Sequence, residues 1–196
     1  MKTQVRPLFT LFGLLMLITG VLYPLTVTGL AQLFFPTQAN GSLIKTNGQV
    51  LGSKLIGQDF AGATYFWGRP SATSTNPYNA YDQNTLTGSS GSNLGPLSQT
   101  LVDRVQLRVN VLHSADPLKT SLIPVDLVTA SASGLDPNIS VSSALYQVPR
   151  VAQARGISEA KVIKLVDQYT ENRQFGILGE PRVNVLMLNL ALDGIK

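Results

Sequence analysis

The 38 residues between Arg6 and Lys45 contain no acidic or basic side chain. The first part of that stretch, Leu8 to Phe35, is 28 mostly apolar residues. As a helix it would measure roughly 42 Å at about 1.5 Å per residue. A bilayer core of about 30 Å needs about 20 such residues. The sequence therefore predicts one transmembrane helix over 8–35 after a short tail at 1–7. Pro24 should bend its outer third. Gly13, Gly20, Gly29 and Pro24 would destabilise a soluble helix, but a membrane helix tolerates them where neighbours re-satisfy the backbone. Gly13, Gly20, Pro24 and Thr28 are the candidate packing positions, because small residues admit a second helix closely. The competing reading is a cleaved signal peptide, with Lys2 and Arg6 as its basic region and Gly29-Leu30-Ala31 as a small-x-small cleavage site. The apolar run is about twice the length of an ordinary signal core, which favours a retained anchor.

Orientation follows from the flanks. The basic residues next to the span lie on the short N-terminal side, which places that side in the cytoplasm and residues 36–196 outside it. In a bacterium this means a single-pass protein of the inner membrane with a periplasmic bulk. The absence of cysteine rules out disulfides, thiolate metal ligands and a thiol nucleophile. Lys2 and Arg6 are two of 15 lysines and arginines, set against 11 acidic residues. Beyond residue 6 the basic excess is thus only two, without any basic run, and nucleic acid is not an expected partner. Asn40-Gly41-Ser42 and Asn138-Ile139-Ser140 match the glycosylation pattern at a length that recurs by chance.

Residues 36–196 read as one mixed α/β domain. Asn47-Gly48 lies between two short apolar runs and predicts a hairpin with strands near 42–46 and 49–56. Gly95-Pro96 suggests a helix start, with Leu97, Leu101, Val105 and Leu112 on one face. Val125 to Ser131 is a β-like run. A helix capped by Asp136-Pro137 or Ser140 follows, its inward face formed by Val141, Ala144, Leu145, Val148, Val151 and Ala152. Pro149 should kink or divide it, and Gly156 should end it. Ser158 starts another helix, with Val162, Leu165, Val166 and Tyr169 inward. Val183 to Leu192 is apolar on both alternating faces except at Asn184 and Asn189. That pattern suits a central strand buried on two sides, although its second half could be helical.

The stretch from Ser71 to Pro96 is different, with 18 of 26 residues being Ser, Thr, Asn, Gly or Pro. Tyr65, Phe66, Trp67, Tyr78 and Tyr81 flank and punctuate it. A neutral, amide-rich loop over 65–96 with aromatic anchors resembles a recognition surface. The alternative is an Ω-loop packed on its own domain. With Arg69, Asp82, Ser92 and Asn93, these aromatics are the candidate partner-facing residues.

Catalytic chemistry is sparse in the sequence. His113 is the single histidine, and no spaced cluster suggests a metal site. Ser158-Glu159-Ala160-Lys161 matches the SxxK nucleophile pattern of penicillin-recognising acyltransferases, but the accompanying SDN and KTG elements are missing. An anchored acyltransferase-like enzyme using Ser158 and Lys161 remains an alternative, as does an anchored structural protein. Thr87 to Gly95 is glycine-rich and enters a helix, so its amides could bind an anion, but it lacks the P-loop lysine.

Several motifs taken together resemble one family. They are Gly57-Gln58-Asp59-Phe60, Tyr65-Phe66-Trp67-Gly68-Arg69-Pro70-Ser71 and Ser90-Gly91-Ser92-Asn93-Leu94-Gly95-Pro96. They continue with Pro124 to Ser131, Ser133 to Pro137, Arg150-Val151-Ala152, Arg155-Gly156 and Pro181 to Leu186. With the N-terminal span they are similar to the C subunit of the Kdp potassium-transporting ATPase, a bacterial P-type complex. Ser90 stands where that family leads one to expect glycine, and Asn138 where a histidine is expected. The resemblance implies a non-catalytic accessory subunit needed for assembly and activity. Its implied partners are a potassium-channel-like subunit, an ATP-hydrolysing P-type subunit and a small membrane peptide. ATP and potassium would belong to the complex, with no cofactor bound by this chain itself. The family role is described as a catalytic chaperone that raises ATP affinity. A periplasmic domain cannot touch a cytoplasmic nucleotide, so the topology favours an external cap on the channel-like subunit, with any effect on ATP transmitted between states.

Overall fold

A computed structural model describes residues 2–73, 76–84 and 86–194. Ser74, Thr75 and Thr85 of the polar insert lie outside the described residues. The chain divides into two compact units, Met1–Ile44 and Lys45–Lys196.

The first unit is a helix in three stretches: α1 (Lys2–Leu17), a π turn (Ile18–Leu22) and α2 (Tyr23–Phe34), followed by the short α3 (Pro36–Ala39). Gln4–Phe34 is long and apolar enough to cross a membrane, and none of its most apolar stretch is buried within the chain. The π turn lies just before Pro24. A proline has no N–H for the carbonyl four residues back, and its ring crowds that carbonyl. The backbone widens instead, and the Tyr23 N–H donates to the Ile18 carbonyl, five residues back. The proline signal thus marks a change of helical register.

The second unit opens with β1 (Leu43–Thr46), which begins in the first unit, and β2 (Gln49–Ser53) in a two-stranded sheet. Asn47 and Gly48 both take left-handed backbone, at φ 52° and 81°, as a tight two-residue hairpin requires. The polar insert folds a small hairpin of its own, β3 (Tyr81–Asp82) against β4 (Thr87–Gly88). Then come α4 (Gln99–Ala115), β5 (Asn138–Ser140), α5 (Val141–Arg155), α6 (Glu159–Gln168), β6 (Thr170–Glu171), β7 (Arg182–Asn184) and α7 (Val185–Leu192). β5, β7 and β6 form an antiparallel sheet in that order.

Four expectations are corrected. α4 starts at Gln99 after Ser98, so Pro96 lies outside it and Leu97 is almost fully exposed. Val125–Leu127 is a single 3-10 turn, because Asp126 turns in to accept from the Ser140 N–H at 2.7 Å. Pro149 does not divide α5. The apolar run over 183–192, read as a strand whose second half could be helical, is strand only to Asn184, whose side chain accepts from the Met187 N–H at 3.1 Å and starts α7. Leucine, methionine and alanine then favour helix continuation.

α5 carries the core. Ser140 caps it by accepting from the Ser143 N–H. Gly156, at φ 65°, closes it in a Schellman motif: Ile157 N–H donates to Ala152 O at 3.0 Å and Gly156 N–H to Gln153 O at 3.2 Å. Ala144, Val148, Val151 and Ala152 pack with Val162, Val166, Val183, Leu188 and Phe66. A second cluster joins Trp67, Leu112, Leu127 and Tyr146.

Glu171 and Arg182 face each other across β6 and β7 and pair at 3.1 Å, while Lys54 meets Glu171 at 2.8 Å. The hydrogen bond from Lys54 holds the Glu171 carboxyl below its usual range, against the opposing effect of partial burial. Its stabilisation is therefore present above the ordinary glutamate range and lost as pH falls through the depressed folded value. Exposure keeps the effect under about 1 kcal/mol. Glu171→Gln should abolish that acid-dependent part of the urea midpoint measured between about pH 5 and 3.

Candidate functional site

After a turn at 62–65, the residues from Phe66 to Arg69 run outside any helix or sheet, with Phe66, Trp67 and Gly68 buried. Buried N–H and C=O groups must find partners, and here side chains supply them. The Asn189 amide of α7 accepts from the Phe66 N–H at 2.9 Å and donates to the Phe66 carbonyl at 3.0 Å. One residue on, the Gln147 amide of α5 repeats the arrangement, accepting from the Trp67 N–H at 2.8 Å and donating to its carbonyl at 3.1 Å. Both amides are buried, and each stands in for an edge of a neighbouring strand.

Arginines complete the clamp. Arg150 donates to the carbonyls of Ala63 at 2.6 Å and Tyr65 at 3.0 Å, and to Gln147 Oε1 at 2.8 Å. Arg155 donates to Thr64 O, and Arg108 to Gly68 O and Leu127 O. The Trp67 ring lies between two guanidinium groups, with Arg150 4.4 Å and Arg108 5.3 Å from its centroid. Such contacts strengthen when desolvated. Burial pulls Arg150 down to about 10, which leaves it charged at neutral pH.

Tyr78 reaches back from the insert and donates to the Arg69 carbonyl at 2.6 Å. Burial pushes its phenol up to about 12, so it remains a donor at every ordinary pH. Its ring fills the space over Gly57 and Gly68: a Cβ on Gly57 would lie 2.3 Å from Tyr78 Cε1 and 2.8 Å from the Asp136 carbonyl oxygen. Gly57→Ala is therefore expected to cost about 1–3 kcal/mol of stability, the range for overpacking, read as a lowered thermal midpoint.

The expected recognition residues thus separate. Phe66 and Trp67, read from the sequence as possible partner-facing anchors, are core residues. Tyr65 is half-buried, donating to Asp193 and stacking under Arg155. Arg69 is half-buried and pairs with Asp136 at 3.3 Å, with its Nε buried and unpartnered. Asp82, a candidate partner-facing residue, is buried and accepts from the Asn84 N–H. Tyr81 and Asn93 are exposed and Ser92 is partly so. Gly13, Gly20, Pro24 and Thr28 are exposed along the apolar helix. Ser158 precedes α6 as expected, but its side chain makes no capping bond, and both it and Lys161 are exposed. Gln147, Asn189, Arg108 and Arg150 are not among the candidate residues read from the sequence, although Arg150 stands in one of the family-like motifs and Asn189 interrupts an otherwise apolar run.

Beside the clamp is an open cleft of about 550 Å³ lined by Arg69, Asp126, Asp136, Ser140 and Arg182 among others. Asp126 already receives Ser140 and Ser143 at the start of α5. Among the described residues no group of three or more His, Cys, Asp or Glu could hold a metal ion.

The family described as K+-transporting ATPase, c chain (KdpC) matches residues 5–194. The chain belongs to the KdpC family. A protein of Methylibium petroleiphilum named potassium-transporting ATPase KdpC subunit is 58% identical over 194 residues, covering 99% of this chain and 98% of that one. The Dechloromonas aromatica protein of the same name is 57% identical over the full length of both. Membership makes the chain a subunit of a potassium-transporting ATPase, in keeping with the one helix among the described residues that is long and apolar enough to cross a membrane.

Proposed function

We propose that this KdpC-family chain is a non-catalytic accessory subunit. Its helix anchors it in the bacterial inner membrane with the N-terminus in the cytoplasm, and its folded unit caps the outer mouth of the channel-like subunit. One observation carries the reading: Lys2 and Arg6 lie at the short N-terminal flank of the apolar span, whereas on its other side no basic residue occurs before Lys45. The use of side chains in the folded unit supports it. Arg108, Arg150, Arg155 and Tyr78 hold backbone carbonyls, which suits a rigid docking body. From outside the cytoplasm, an effect on ATP affinity would reach the hydrolysing subunit through the state of the complex.

Purification in mild detergent tests the reading. The full chain should retain the channel-like and ATP-hydrolysing subunits, and a chain without its first 35 residues should retain them at least tenfold less. Tyr81→Ala with Asn93→Ala, both at exposed positions of the insert, should slow growth at limiting potassium. A wild-type chain that purifies without either subunit would contradict the accessory role.

A further inference from the structure

The segment between β6 and β7 forms a rigid apolar finger. The Gln174 and Leu178 backbones exchange two hydrogen bonds of 2.9 Å, and the Ile177 N–H donates to Gln174 O at 3.2 Å. Below this turn Arg173 grips both Glu180 carboxylate oxygens, at 2.7 and 2.6 Å. Three large apolar side chains stand out from this closed base, with Phe175 90%, Ile177 75% and Leu178 54% exposed. Phe175 also holds left-handed backbone, at φ 53° beside Gly176 at 77°. A phenylalanine in that conformation costs stability that glycine or asparagine would not. Neither fold nor core repays it, because the ring touches so little of its own chain.

We propose that this finger inserts into an apolar pocket of the channel-like subunit, with Phe175 as its anchor. The proposal rests on the accessory-subunit reading. Three observations favour a protein over lipid as the occupant. Within the finger the charges of Arg173 and Glu180 cancel, whereas surface-binding membrane segments carry basic residues. At its root, Arg182 and Lys54 are held by Glu171. The turn's own hydrogen bonds already hold the backbone that carries Phe175, so docking orders little beyond the ring itself, as for interface anchors.

Photocrosslinking in native membranes tests it, using the full chain expressed with its partner subunits and p-benzoylphenylalanine at position 175. A covalent adduct with the channel-like subunit is expected. Adducts confined to lipid, to a second copy or to no partner overturn the proposal. Two variants guard against misfolding: Phe175→Gly and Phe175→Asn accept the backbone without the ring. Each should match or exceed the wild-type thermal midpoint and keep its tryptophan emission while retaining at least tenfold less channel-like subunit. Wild-type retention by both variants overturns the finger alone; a wild-type chain that retains no partner overturns the accessory role with it.

Discussion

Asn189→Leu is expected to lower the stability of the folded unit by roughly 3–5 kcal/mol, within the range for two orphaned buried backbone groups at about 1–3 kcal/mol each. The two side chains are close in size, so packing changes little. What disappears is the amide that accepts from the Phe66 N–H and donates to its carbonyl. Both groups lie in an interior where water does not replace the amide, since Phe66 is fully buried and Asn189 nearly so. Asn189→Asp is the informative companion. It keeps an acceptor for the N–H, loses the donor and adds a buried charge, so it should be no better than leucine at neutral pH. Urea denaturation followed by far-UV circular dichroism checks both.

Arg150→Met is the second large effect, expected at about 3–5 kcal/mol, because three neutral acceptors lose a charged donor and hydrogen bonds to charged groups are worth about 1.5–3 kcal/mol each. The methionine retains an unbranched apolar stem, so the loss is that of the guanidinium. Ala63 O, Tyr65 O and Gln147 Oε1 each lose a donor, and the Trp67 ring loses the nearer of its two cations. Arg150→Lys should recover only part, because one ammonium cannot reproduce a planar fork. Trp67 is the single tryptophan of the chain, so its emission reports on this site without interference. A red shift is expected with methionine and a smaller one with lysine.

The contrast between anchor and clamp shows what this sequence discloses. The apolar span was legible because it depends on one local property, the absence of charge over 38 residues. The hairpin at Asn47-Gly48, the Ser140 cap and the Gly156 stop were legible for the same reason, since each is set by residues a few positions apart. The clamp was not. Trp67 finds its amide partner 80 residues away and Phe66 finds its own 123 residues away. No periodicity marks a segment outside helix and sheet whose partners are side chains, so Phe66 and Trp67 looked like anchors for another molecule. Asn189 lay in view as a polar break in an apolar run, and a buried asparagine there needed a backbone to hold. The finger escaped because Phe175-Gly176-Ile177-Leu178 reads as ordinary apolar sequence until its exposure is known.

The account depends on which side of the membrane the folded unit occupies. The chain has no cysteine, so single reporters can be placed without removing any. Leu118→Cys suits the folded unit, being 91% exposed, and Gln4→Cys marks the N-terminal flank. Intact cells treated with a membrane-impermeant maleimide should label Leu118→Cys, directly or once the outer layer is permeabilised, and should label Gln4→Cys only after lysis. The reverse pattern would place the folded unit in the cytoplasm and contradict the external cap.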